Sequence, residues 1–385
     1  MNLKQLKTEL SPTLKEVKFT LKRVRKSPLS ILGMAIITFY VIIAVFAPVL
    51  APPVDPKAPY AIFHDGYGPT PRPPGSEVLD SWIRNMGWTV HYFGTAEGQL
   101  DIYYGCIWGT RTAFRIGLMV VVISLIIGLL MGCLSGYYGG IIDEILMRFT
   151  DIILAFPGLI LAMALVIALP RVWSLEIGFP LAIIGIFIII MLIGHFLKLR
   201  SAISASLGIL SVAIFAVLYY GVLGSPPIYT MGMELTDLDK VLVALALVGW
   251  PGYTRVIRGE ILRVRQEDYV EAAKAAGCSD VRIILRHILP NAMYSVVIMA
   301  SLDIGSIVLT AAALSFLGIG APLGYADWGQ MISFARGWIW SGQENPWQFW
   351  YTFIIPGLFI FTFVLGWNLL GDAFRDILDP TLRRR

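Results

Sequence analysis

"EAAKAAGCSDVRIILRHILPN", residues 271 to 291, is charged, alanine-rich and broken by one glycine, while the sequence on both sides is almost wholly apolar. A stretch of that composition faces water, so it stands out of whatever buries its neighbours. Gln266, Glu267 and Asp268 put polar and acidic groups in a first turn, and "YVEAAKAA" is built of strong helix formers. Gly277 predicts the end of that helix, where a left-handed backbone turn is wanted, and Ser279 or Asp280 can cap the next one. There Val281, Ile284, Leu285, Ile288 and Leu289 recur as one apolar stripe, with Arg282, Arg286 and His287 on the other side. Pro290 predicts a stop before the following apolar run. Residues 266–290 therefore read as a helix–turn–helix elbow held between two apolar segments.

Those segments decide the class. Hydrophobic residues make up 57% of the chain and charged residues only 15%, outside the range of soluble globular proteins. A membrane span needs about 20 apolar residues, roughly 30 Å of hydrocarbon at 1.5 Å per residue. Eight runs qualify: 29–50, 113–136, 152–169, 178–197, 203–223, 240–257, 292–314 and 350–370. With no water to satisfy free backbone groups, the spans are predicted to be helices. The first is too long for a signal-peptide core and no small-x-small site follows it.

Lysine and arginine orient the chain. Lys4, Lys7, Lys15, Lys18, Lys22, Arg23, Arg25 and Lys26 place the N-terminus in the cytoplasm, and eight crossings return Arg375 and Arg383 to Arg385 to the same side. The net charge of +4 follows from this topology and points to no nucleic acid. Cys106 is predicted outside, Cys133 in a span and Cys278 inside, so no pair shares a compartment and no internal disulfide is expected.

The plan that results is a basic segment 1–28, a first transmembrane helix 29–50 and an outer loop 51–112 that opens Pro-rich. A transmembrane domain 113–370 follows, and a tail 371–385 with Asp372, Arg375, Asp376 and Asp379. Trp328, Trp338, Trp340 and Trp347 in the last outer loop read as an interfacial aromatic belt, with stacking against a substrate as the alternative. Within the spans, Asp303 is costly unless paired or wet, and it reads either as pathway lining or as an internal hydrogen-bonding group. Asn368 can bond across helices and is the second pathway candidate. His195 reads as structural.

Three readings of the elbow compete: a DNA-binding helix-turn-helix, an amphipathic linker and a docking element. Spans within a few residues of each end leave no room for a duplex. Glu271-Ala272-Ala273, Gly277 four positions on, and Leu289-Pro290 resemble the EAA motif of ABC importer permeases, with His287 in place of the usual isoleucine. "RHILPN", "LSFLGIGAPLGYADWGQM" (314–331), "PGLFIFTFVLGWNLLGDAFRDILDP" (356–380) and "SGYYGGIIDEILMRFTDIILAFP" (135–157) are similar to the dipeptide/oligopeptide/nickel branch, and their order suits its C-type subunit. Two departures stand out. The family's GTD–x–x–GRD pattern is here "GTAEGQLDI", keeping Gly94, Thr95 and Asp101 but not the arginine, and residues 170–239 insert two spans before "VGWPGYTRVIRGEIL".

The resemblance implies an all-α polytopic fold of the type I, MetI-like class, with one N-terminal helix, an inserted hairpin at 178–223 and about eight transmembrane helices. It implies a coupling loop at 263–290, in which Glu271, Ala272, Ala273, Gly277, Asp280, Arg282, Arg286, Leu289 and Pro290 meet an ATPase. The expected partners are a second permease in a heterodimer, two ATPase subunits, an extracytoplasmic substrate-binding protein and membrane lipid. The setting expected is the cytoplasmic membrane of a prokaryote. The chain has no G-x-x-x-x-G-K-[ST] motif, so it is expected to be no enzyme and to bind no cofactor, with ATP and Mg used by the partners. Peptides are the expected cargo, with oligosaccharides or nickel as alternatives. A secondary transporter or channel is the alternative class; it would need coupling carboxylates in several spans.

Overall fold

Ser27 and Pro28 start the first helix of the computed structural model, which describes residues 27–170, 172–176, 230–339 and 347–378. The Ser27 hydroxyl accepts from the Ser30 amide at 3.4 Å and proline presets φ, so α1 (Pro28–Leu50) begins where the sequence predicts. Pro48 lies inside α1 and has no N–H to give the Ala44 carbonyl. Arg111 supplies the missing donor: Nε reaches Ala44 O at 2.5 Å and Nη2 reaches Val45 O at 3.3 Å, with the guanidinium 5.0 Å from the Trp108 ring.

The segment after α1, which opens Pro-rich, is an ordered subdomain, as its later aromatic stretch 81–95 suggests. β1 (Ser76–Glu77) pairs antiparallel with β2 (Val90–His91) around a short α2 (Ser81–Asn85), over buried Ile62, Phe63, Val78, Ile83 and Trp88. At its centre His91, fully buried, puts Nδ1 2.6 Å from Asp101 Oδ2 and Nε2 3.1 Å from Asp65 Oδ2. Asp65 also accepts from the Leu79 and Asp80 amides and from Arg72, whose Nε donates to Gln99 at 2.5 Å. Arg72 thus brings a guanidinium from the Pro-rich segment to the stretch that lacks the family's arginine.

Asp101 then caps α3 (Ile102–Tyr138), accepting from the Tyr104 amide at 2.6 Å. The helix starts eleven residues before the expected span, so the outer segment ends at 101 and not at 112. Its 37 residues reach about 55 Å at 1.5 Å each, longer than any bilayer core. Cys106, expected outside, is buried within this helix. Next come α4 (Gly140–Leu154) and α5 (Gly158–Ala168), bent by 91°. The single span expected over 152–169 is therefore broken, because Pro157 lacks the N–H for Ile153 O and keeps Phe156 out of helical geometry.

Residues 170–236 form a compact unit of their own, in which β3 (Val172–Glu176) and β4 (Thr230–Glu234) pair antiparallel from Val172↔Glu234 to Glu176↔Thr230. The two strand pairs are the departures from an otherwise helical fold among the described residues. The expected hairpin 178–223, the basic segment 1–26, His195, Trp340 and Asp379 lie outside those residues.

α6 (Asp237–Val264), α7 (Asp268–Ala275), α8 (Asp280–Phe316), α9 (Trp328–Ala335) and α10 (Tyr351–Leu378) complete the chain. α3 and α6 pack along a long seam through glycines four residues apart. A Cβ on Gly132 would lie 2.8 Å from Ile257 Cβ, and one on Gly136 would lie 3.0 Å from Ile261 Cβ. α1 lies on α10, where the Tyr40 hydroxyl meets Thr362 Oγ1 at 2.6 Å and donates to Phe359 O at 3.0 Å. Trp328 is no belt residue: it is 3% exposed, packs on Phe359 and Phe363, and donates to Cys106 O at 3.0 Å. Trp347 is exposed, and Trp338 donates to Glu97 at 3.2 Å.

Replacing Arg111 with Met leaves the Ala44 carbonyl, a part-buried acceptor, without a donor, a loss of about 1 kcal/mol or more. Adding Pro48→Ala returns an N–H to that carbonyl, so the double variant should regain most of the thermal stability in detergent. A second expectation concerns pH. Burial alone would lower the His91 pKa, but the Asp101 and Asp65 carboxylates raise it against the opposing Arg72 charge. Burial would raise Asp65, yet its backbone, His91 and Arg72 hydrogen bonds hold it far below the usual range. His91 therefore stabilises the subdomain fully below its unfolded value of about 6.5, and Asp65 fully above about 3.9. Protease nicking of 51–101 should rise as pH climbs through the raised His91 value. His91→Gln should remove that alkaline step and leave the acid-side loss.

Candidate coupling site

The elbow is built as its sequence suggests, with one change. α7 buries only Val270 and Ala273, while Glu271, Ala272 and Lys274 face outward. Gly277 follows at φ +76°. The Cys278 amide donates back to Ala273 O at 3.1 Å and the Gly277 amide to Lys274 O at 2.9 Å, the pairing of a Schellman turn. No heavy atom lies within 4 Å of a Cβ built on Gly277, so glycine is required by backbone conformation and not by space.

The change comes after the turn. α8 runs unbroken from Asp280 through Pro290 into the span, where a stop was expected. Residues Ile284–Ile288 form a π turn. The wider turn makes room for the Pro290 ring and absorbs the N–H it lacks, as ring and carbonyl would clash in a regular α-helix. The predicted stripe is also divided. Ile288 is buried together with Ile283, but Val281 is 62% and Leu285 60% exposed. With Ile284, Leu289 and the α3 side chains Leu130 and Leu134, they line an open, wholly apolar groove of about 390 Å³. Arg282, Arg286 and Pro290 are exposed.

A group that sequence reading passed over holds the elbow in place. Tyr137, at the end of α3, is buried and donates its hydroxyl to Asp280 Oδ1 at 2.6 Å. Its carbonyl accepts from Arg265 at 2.8 Å, and the Lys274 ammonium stands 5.7 Å from its ring. Asp280 is thus engaged across the fold, and neither it nor Ser279 makes a side-chain cap. The available signal was "SGYYGG" itself: an aromatic residue where the helix leaves the apolar run. Beside this knot, Arg258 grips Asp143 with two bonds of 2.6 Å and Arg255 bonds Asp151 at 2.6 Å, fastening α4 to α6.

The two pathway candidates lie elsewhere. Asp303 is half-buried beside the Tyr253 hydroxyl. Asn368 is exposed on α10 and makes no cross-helix hydrogen bond among the described residues, so the expected contact is absent. Polar glue on α10 comes from Thr362, whose hydroxyl meets Tyr40. No group of three His, Cys, Asp or Glu suited to a metal ion occurs among the described residues.

Residues 205–384 match the model for the inner membrane component of binding-protein-dependent transport systems, and residues 18–67 match the N-terminal transmembrane domain of oligopeptide transport permease C. The chain is 31% identical over 362 residues to a dipeptide transport system permease of Alkalihalophilus pseudofirmus, covering 94% of this chain and 89% of that one. It is 27% identical to an oligopeptide transport system permease of Bacillus subtilis, over 94% of this chain and 88% of the other. A glutathione transport system permease of Pectobacterium atrosepticum is 31% identical over 77% of this chain and 74% of its own length.

Tyr137→Phe removes one hydrogen bond to a carboxylate and should loosen the elbow by about 1 kcal/mol, a roughly fivefold faster amide exchange over 268–283. Asp280→Ala, which takes away the acceptor, should do the same. The double variant should exchange little faster than either single one, because both remove the same bond.

Proposed function

This chain belongs to the binding-protein-dependent ABC importer permeases, as a C-type subunit of the dipeptide/oligopeptide branch, and on that premise we propose how it works. It is a multi-pass subunit of the plasma membrane, and ATPase and substrate-binding partners are general to the family. The assembly proposed is a heterodimer with a second, related permease, two ATPase subunits on the cytoplasmic side and a binding protein outside. Both termini lie in the cytoplasm. ATP and Mg are used by the ATPases, and this chain binds neither. Di- or oligopeptides are the cargo, the reading supported by relatives that carry dipeptides, oligopeptides and glutathione in their names.

The observation that carries the coupling reading is the orientation of α7. Its small apolar face, Val270 and Ala273, is spent inward, and its Glu271–Ala272 face is exposed at the tip of an elbow fixed by Tyr137 and Gly277. In this reading Glu271, Ala272, Ala273, Gly277, Asp280, Arg282, Arg286, Leu289 and Pro290 act as a unit. Ala273, Gly277, Asp280, Leu289 and Pro290 shape the elbow, and Glu271, Ala272, Arg282 and Arg286 present its contact surface. ATP-driven closure of the ATPases moves the elbow, and with it α8.

Gly277→Val forces a β-branched residue into positive φ, at a cost of about 1–2 kcal/mol, and Glu271→Lys reverses a contact charge. Both variants should insert at normal abundance, since neither lies in a span. ATP-driven uptake and substrate-stimulated ATP hydrolysis by the reconstituted complex should fall together, by about tenfold for a contact worth 1.4 kcal/mol, with weaker retention of the ATPases. Wild-type uptake by both variants would make the elbow a passive linker.

A further inference from the structure

We propose that the outer subdomain rests on the bilayer: Leu79, Trp82 and Met86 form an apolar ridge whose partner is the headgroup–acyl boundary of the outer leaflet. The inference goes beyond the importer reading and does not depend on the cargo. Trp82 and Met86 lie one turn apart on α2, with Leu79 just ahead of its cap, and the three are 55%, 43% and 69% exposed. Ile83 is the buried residue of this helix. A cluster of large apolar groups turned outward on a subdomain that is otherwise packed marks a contact surface. The two charges of the segment turn to the backbone: Asp80 accepts from the Trp82 amide at 2.8 Å, and Arg84 donates to Val78 O. The ridge itself carries none.

What the ridge meets follows from where the subdomain is tied down. α1 has 23 residues and reaches about 35 Å at 1.5 Å each, against roughly 30 Å for a hydrocarbon core. Its end at Leu50 therefore marks the outer edge of the hydrocarbon. Trp88, two residues after Met86, donates its indole N–H to Pro52 O at 3.3 Å and packs 6.1 Å from the Tyr103 ring. Tyr103 in turn donates to Leu50 O at 3.1 Å. The C-terminal end of α2 is thus held a few residues from that edge. α1 leaves Val45, Phe46 and Val49 exposed just below it, and the exposed Tyr92 ring lies 5.3 Å from Tyr103. The ridge carries this apolar face on past the end of α1. Its indole, beside the Tyr92 phenol, suits the interface, where a ring can enter the acyl region and a polar tip stay among headgroups.

The test reads the ridge in the full-length chain, assembled with its permease and ATPase partners in lipid nanodiscs. Cys133→Ser and Cys278→Ser remove the part-exposed thiols, and buried Cys106 stays. Trp82→Cys or Met86→Cys is then spin-labelled, with Val45→Cys on α1 as the hydrocarbon reference. Relaxation of the label by oxygen, which concentrates in hydrocarbon, is compared with relaxation by a water-soluble nickel chelate. Oxygen should be the more effective at positions 82 and 86, as at 45. Trp82→Glu should shift position 86 toward the chelate, whereas Trp82→Phe should leave it unchanged. A chelate more effective than oxygen at 82 and 86 would overturn the proposal and leave a solvated ridge. Exclusion of both reagents there, with or without added binding protein, would overturn it in favour of a protein cover. ATP-driven uptake does not enter the readout, so the importer reading stands or falls separately.

Discussion

Hydrocarbon offers no donor to a carbonyl, and this one constraint shapes the fold at Pro48, Pro157 and Pro290. Pro48 frees Ala44 O, and the chain answers with an arginine from α3. Pro290 would clash inside a regular helix, and α8 answers with a π turn that keeps the backbone continuous. At Pro157 the helix breaks and turns by 91°. The three outcomes differ because the surroundings differ. Pro48 has a packed neighbour carrying a donor, Pro290 sits at the first turns of a long helix, and Pro157 follows an amphipathic segment whose acids are held by Arg255 and Arg258. Each solution fixes where a span starts, and so where the elbow and the outer subdomain can stand.

α3 joins those two regions. Its first residue is capped by Asp101, which also bonds His91 in the outer charge cluster, and its penultimate residue, Tyr137, bonds the elbow through Asp280. Between them the glycine face of α3 lets the Tyr253, Ile257 and Ile261 side chains of α6 seat directly against its backbone. The same helix is therefore an outer anchor, a packing ridge and an inner bolt.

Much of this was written plainly in the sequence. Apolar runs marked α1, α3, α6, α8 and α10, because a span must be long and continuous. Gly277 gave the turn, because few residues adopt positive φ. What could not be read were long-range polar contacts made by residues of ordinary local character. Tyr137 looks like any interfacial tyrosine until Asp280 is beside it. Trp328 has the composition of a belt residue, yet its indole is buried because a carbonyl 222 positions away accepts its N–H. Asp101 and the start of α3 were missed because the helix begins in a polar, aromatic stretch outside the apolar run. Ordering there comes from His91, Asp65 and Arg72, scattered over three separate segments.

The junction between α3 and α8 shows why the odd composition of the elbow matters. Toward the outer side the two helices are locked: a Cβ on Gly117 would lie 2.8 Å from Ile304 Cγ2. Toward the elbow a groove lies between them, with Leu130 and Leu134 on one side and Val281 and Leu285 on the other. What closes the joint at its far end is one hydrogen bond from Tyr137 and a cation over its ring. Tight apolar contact resists sliding, since every displaced side chain opens a void, whereas a joint closed by one hydrogen bond yields at lower cost. A continuous α8 therefore carries a tight contact at Ile304 and a looser one at the elbow end, where Val281 and Leu285 are exposed.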